Sequence, residues 1–148
     1  MQWYVTDSKG MANVISFLAS AEQPYLVTFS KDRDRSSQQN RLIHKWFTEI
    51  AKQRGDVTKE DVKAESNIKY GLPILRRDNP VSQWVIEKAI DPLPYEKKLA
   101  FIKSGAVAIT SQMTVPQLQE YMDAMAHDYR AEGFTLTDPE AMKYEALR

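Results

Sequence analysis

The stretch QWYVTDSKGMANVISFLASAEQPYLVTF, residues 2–29, decides how the fold is read. Gln2 to Thr6 is β-branched and aromatic, which predicts a first strand. Met11, Val14, Ile15 and Leu18 recur at helical spacing, and Ser8 is placed to cap that helix. Pro24 then precedes Tyr25 to Phe29, a second predicted strand bounded by charge. A strand, a helix and a strand in so short a span read as a right-handed β-α-β unit, although an antiparallel pairing also fits. The expected class is α+β: an N-terminal β-α-β with a small mixed sheet and a helix-rich remainder.

Outward from that unit, Lys31 to Arg35 alternates in sign and reads as a charged loop. Ser36 with Gln39 fits a capping box, opening a helix that runs to about Arg54 and stops at Gly55. Its apolar face is Ile43, Trp46 or Phe47, and Ile50, with Arg41, Lys45 and Lys52 opposite. Thr58 and Asp61 start another helix, expected to end near Gly71-Leu72-Pro73. A shorter helix lies between Asn79-Pro80 and Asp91-Pro92, and a further one over Tyr95 to Lys103. Ala106 to Thr110 reads as a third strand. Thr114 and Gln117 form a second capping box, before a helix with a stripe of Leu118, Tyr121, Met122, Met125 and Tyr129 that Gly133 ends. The expected organisation is one domain over residues 1–136, with a C-terminal helix or tail over 137–148.

Composition excludes several chemistries. The 148 residues contain no Cys, which removes disulfides, thiolate zinc sites, Fe–S clusters and thiol nucleophiles. The two histidines stand 83 positions apart, which argues against a His-rich metal centre. The longest uncharged window, Ser104 to Gln119, is broken by Ser, Thr, Gln and Pro, so no membrane span is expected. No secretory signal is read at the start, and the expected compartment is the cytoplasm. Formal net charge is zero, yet residues 31–54 carry a local +4 and residues 112–148 a local −4. That separation leaves room for a basic patch on a neutral protein.

Enzyme readings find little support. Asp32 and Asp34 offer two carboxylates to a divalent metal, but no third acid stands nearby. His44 and His127 lack the partners of a triad, and five glycines supply no phosphate loop. The physical signal is the 31–54 segment. Arg33, Arg35 and Arg41 lead into a helix N-terminus, whose free N–H groups favour a phosphate. Gln38, Gln39 and Asn40 add amides, while Trp46, Phe47 or His44 offers a ring for a base.

Arg35-Ser36-Ser37-Gln38-Gln39-Asn40-Arg41 resembles the Arg-Ser-x-x-Gln-Asn-Arg signature of the NinB family of phage recombination proteins. Ile109-Thr110-Ser111-Gln112-Met113-Thr114 resembles that family's Ser-Thr-Ser-containing segment before its long helix. Stretches at 44–53, 70–75, 93–96 and 133–139 look like a NinB-like branch found in phages and prophages, in the same order along most of the chain. Two positions depart from lambda-like members: His44 stands where they have Trp, and Gln112 where they have Arg.

The resemblance implies a non-enzymatic recombination mediator, a homodimer that binds DNA with a preference for single strands. Its implied role is to help a phage recombinase or strand-annealing protein load onto DNA covered by the host single-strand-binding protein, in the bacterial cytoplasm. Arg35, Gln39, Asn40, Arg41 and Ser111 are the positions carried over. Lys31, Arg33, Arg35, Arg41 and Lys45 are expected on phosphates, with Gln39, Asn40, His44, Ser111 and Gln112 adding hydrogen bonds or stacking. No cofactor and no metal are expected. The competing expectations are a protein–protein adaptor whose acidic 112–148 segment docks on a partner, and a metal-dependent nuclease using Asp32 and Asp34.

Overall fold

The computed structural model describes residues 8–22 and 33–141, with side chains from 8–22 and 38–141. The chain divides into two compact units, Met1–Lys31 and Asp32–Arg148. In the first, helix α1 spans Ser8–Ser20, in agreement with the spacing of Met11 to Leu18. The strands expected at 2–6 and 25–29 fall outside the described residues.

The second unit is helical. Its elements are α2 (Arg33–Arg54), α3 (Lys59–Ser66), α4 (Leu72–Asp78), α5 (Pro80–Val85), α6 (Tyr95–Lys103) and α7 (Val115–Ala131). No strand occurs among the described residues, which corrects the α+β expectation to an all-helical one. The third expected strand shows why. Residues 106–110 form an irregular turn that leads into a 3₁₀ turn over Thr110–Gln112. Their apolar character comes from Ile109, which is buried in the core although it belongs to no ladder. A β-branched run signals burial as readily as pairing.

Two capping boxes form as the residues dictate. The Thr58 hydroxyl accepts from the Asp61 N–H, and Asp61 accepts from the Thr58 N–H. Thr114 and Gln117 repeat the arrangement at the start of α7. Each satisfies two otherwise free N–H groups of a first turn. Gly55 and Gly133 close α2 and α7 with φ of 79° and 95°. The box expected at Ser36 is not a helix start, because α2 begins three residues earlier, at Arg33. Residues 33–35 are therefore its first turn and not a loop.

The helix starting at Lys59 also runs past its expected end. A π turn over Asn67–Gly71 leads directly into α4, and the Leu72 N–H reaches back to the Asn67 carbonyl. Widening the turn just before Pro73, which has no N–H to give, lets the chain stay helical.

The core lies between α2, α3, α4 and α7. Ile43, Phe47 and Ile50 of α2 join Val62, Leu72 and Leu75, with Leu118, Tyr121, Met122 and Met125 of α7, in one buried cluster. The Tyr121 hydroxyl, wholly buried, donates to Asn67 Oδ1 at 2.8 Å, so its polar end is satisfied. Beyond α7 the chain returns along α2. The Gln53 side chain bonds Thr135 in both directions. Glu49 accepts from the Thr137 N–H and hydroxyl, and the Trp46 indole donates to the Thr137 carbonyl at 2.8 Å. Trp46, Glu49 and Gln53 recur at helical spacing, so one stripe of α2 clamps residues 135–137.

Candidate nucleic-acid interface

The first half of α2 carries the signature residues. Gln39 is half-buried, and its side-chain amide donates to the Val115 carbonyl at 3.4 Å and to Gln119 Oε1 at 3.2 Å. Gln119 in turn donates to Asp123 at 2.8 Å. The motif on α2 therefore meets the first turns of α7, directly after the Thr110–Gln112 turn. Two segments about seventy residues apart in sequence become neighbours through one glutamine. Gln39 Oε1 is buried with no hydrogen-bond partner among the described residues.

The remaining expected site residues divide into groups. Arg41 is exposed, and Asn40, His44 and Lys45 are half-buried along α2. Ser111 and Gln112 are exposed on the 3₁₀ turn. The Gln112 amide donates to the Ala108 carbonyl, and its Oε1 accepts from the Ser82 hydroxyl at 3.4 Å, which ties the turn to α5. Arg33 and Arg35 lie in the first turn of α2, their side chains outside the description, and Lys31 falls outside the described residues.

The structure overturns one part of the expected face. Trp46 and Phe47 are 3% and 1% exposed, so neither ring is open to a base. The Trp46 indole is bonded to Thr137, and Phe47 meets His44 edge-on at 5.9 Å between centroids. Both positions are core because α2 is covered on two sides, by the helices and by the returning segment 135–137. Among the described residues of the second unit, the large exposed aromatics lie elsewhere, at Trp84 (63%) and Tyr95 (56%). No periodicity in the sequence marks them as exposed; only the missing neighbours do.

His44 is held below the ordinary histidine pKa, first by burial and then by Lys59 and Lys63. It is thus an uncharged ring at neutral pH. Its Nδ1 is buried with no partner among the described residues. Lys59 and Lys63, four apart on α3, add cationic charge beside α2 that the motif did not indicate, and neither forms an ion pair among the described residues.

Arg76 and Arg77 are committed elsewhere. Arg76 pairs with Asp91 at 2.6 Å, and Arg77 forks onto Asp78 and Glu120 at 2.7–2.8 Å. Asp78 also accepts from Gln117 at 3.0 Å, which locks α4 to the start of α7 beneath the same junction. No group of three or more His, Asp or Glu residues able to hold a metal occurs among the described residues; the Asp32 and Asp34 side chains lie outside them. No described helix is long and apolar enough to cross a membrane.

Comparison with protein-family models, with curated proteins and with solved structures finds no match.

Proposed function

We propose that this protein binds single-stranded DNA at the junction of α2 with the start of α7, as an accessory factor in phage or prophage recombination. One observation carries the reading. Gln39 of the 35–41 segment that resembles the NinB family bonds Val115 and Gln119 in the first turns of α7, directly after the second such segment, 109–114. Arg35 and Arg41 on α2 supply phosphate contacts, and Lys59 and Lys63 are further cations near His44, on a helix that also carries Glu60, Asp61 and Glu65. Ser111 and Gln112, on the turn that precedes α7, contribute uncharged polar groups, Gln112 while also tied to Ser82 of α5. The +4 segment 31–54 includes the whole of α2, so the basic residues of the sequence are concentrated on the helix that holds the motif.

The role is one of binding and presentation: a homodimer that helps load a recombinase or annealing protein onto a strand covered by the host single-strand-binding protein. The test compares the chain with its Arg35→Ala, Arg41→Ala double variant in fluorescence-anisotropy titrations of a labelled single strand. Losing two phosphate contacts lowers affinity and flattens the salt dependence by about 1.4 units, at roughly 0.7 per contact. Equal affinity and equal slope for the two proteins refute the reading.

A further inference from the structure

A half-open cavity of about 500 Å³ lies at the far end of α2 from the motif, and its size is that of a small-ligand cleft. Two helices end on it. Arg54, the last residue of α2, lines it, as do Tyr129 and Glu132 at the end of α7. Both helices therefore bring the negative ends of their dipoles to the cavity, which favours a cation there.

The charged side chains act in the same direction. Arg54 is paired with Glu65 at 2.6 Å and with Asp56 at 3.6 Å, and Lys69 is paired with Asp128 at 3.3 Å. Glu132 forms no ion pair among the described residues. Two cations, Arg54 and Lys69, thus stand against four carboxylates, Asp56, Glu65, Asp128 and Glu132. The walls are aromatic. Tyr129 and Phe134 meet edge-on at 5.3 Å between centroids and form a corner, and Tyr95 adds an exposed ring. Such faces attract both methylenes and positive charge. On the same lining, Lys69 Nζ already lies 5.3 Å from the centroid of the Tyr70 ring. The Tyr70 and Tyr129 phenols are held above the ordinary tyrosine pKa, first by burial and further by carboxylates that include Glu132. The Glu132 charge is therefore felt at both rings.

We infer that this cavity binds an aliphatic ammonium group, its charge beside Glu132 and its methylenes along the Tyr95 and Tyr129 rings. A bare metal ion leaves the aromatic walls unused, and an anion meets the excess of carboxylates. The ammonium comes either from a free polyamine or from a lysine side chain of a partner protein. The inference stands on the cavity and does not depend on the nucleic-acid reading above.

Amide NMR titrations of the intact chain test it, with butylammonium chloride set against 1-butanol and sodium butyrate, a neutral and an anionic ligand of like length. Butylammonium is expected to shift the amides of residues 65–70 and 129–134 saturably. The other two are expected to bind at least about fivefold more weakly, for want of the cation contacts. Glu132→Gln keeps the shape of an exposed side chain, and Tyr95→Ala removes an exposed ring. Each variant is expected to keep the thermal midpoint and to bind butylammonium about two- to fivefold more weakly, the worth of one exposed cation contact. Spermidine and a capped pentapeptide with a central lysine separate the two sources, the tighter ligand identifying the one that applies. No shifts with any of the three amines overturns the inference. So does 1-butanol binding as tightly as butylammonium, or butylammonium binding unchanged in Glu132→Gln. None of these results alters oligonucleotide binding at α2, so the proposed function stands or falls separately.

Discussion

Gly71→Ala sets two effects against each other, and the structure decides the sign. Gly71 lies at the junction of the π turn and α4 with φ −81° and ψ −51°, dihedrals that alanine adopts freely. Helix propensity alone therefore favours alanine by about 1 kcal/mol. A Cβ at this position stands 2.6 Å from Ile109 Cγ2 and 3.2 Å from Tyr121 Cε2. Neither neighbour yields easily. Cγ2 is a branch on the Ile109 β-carbon, whose χ1 is stiff, and Tyr121 is held by its bond to Asn67. Overpacking of this kind costs about 1–3 kcal/mol, and a contact this short belongs at the upper end. The expected net loss is about 1–2 kcal/mol, or roughly 3–8 °C in thermal midpoint for a chain of this size. Far-UV circular dichroism melts and urea titrations measure it. Ile109→Ala removes the clashing carbon, so Gly71→Ala becomes neutral or stabilising in that background although the single Ile109 variant is itself destabilised. A raised midpoint for Gly71→Ala alone refutes the packing described around the π turn.

The clamp on residues 135–137 makes Glu49→Ala destabilising by about 1–3 kcal/mol, since the Thr137 N–H and hydroxyl lose a charged acceptor. Amide hydrogen exchange at Thr137 should accelerate in that variant, and unchanged protection argues against the clamp. Thr114→Ala removes the cap of α7 and should cost about 1 kcal/mol in urea unfolding; a value near zero contradicts the box. His44, depressed by burial and by Lys59 and Lys63, should titrate by NMR below an unfolded histidine's value of about 6.5. Because its folded pKa is the lower one, its contribution to stability is complete above the unfolded value and is lost as pH falls through the folded one. His44→Gln should therefore flatten the decline of the melting temperature between neutral and mildly acidic pH, and an unaltered decline counts against it.

Much of the helical layout was readable from short-range chemistry. Gly55 and Gly133 as stops, the helix start at Thr58, the Thr114 box and the span Tyr95–Lys103 all stand as the residues indicate. Each is a local matter of caps, φ angles and spacing. One local signal misleads, the Ser36–Gln39 box, since α2 already begins at Arg33; the other differences are tertiary. Ala106 to Thr110 reads as a strand from its residue types, yet Ile109 is buried against Gly71 and Tyr121 from a turn. Gly71-Leu72-Pro73 looked like an end because nothing in the sequence announces the π turn that absorbs the proline. At the site, the motif on α2 and the segment before α7 were legible as separate pieces, and their meeting through Gln39 was not. Trp46 and Phe47 are both buried, so neither alone is the core residue, while Trp84 and Tyr95 are exposed.

The most direct test of the central claim is the salt dependence of oligonucleotide binding by the unaltered chain, measured by anisotropy on a single strand and on its duplex. Phosphate contacts from α2 predict saturable binding and an affinity that falls linearly on a logarithmic salt scale, and the resemblance to the NinB family implies weaker binding of the duplex. No binding at low salt, or binding indifferent to salt, contradicts the assignment of the α2–α7 junction as a nucleic-acid surface.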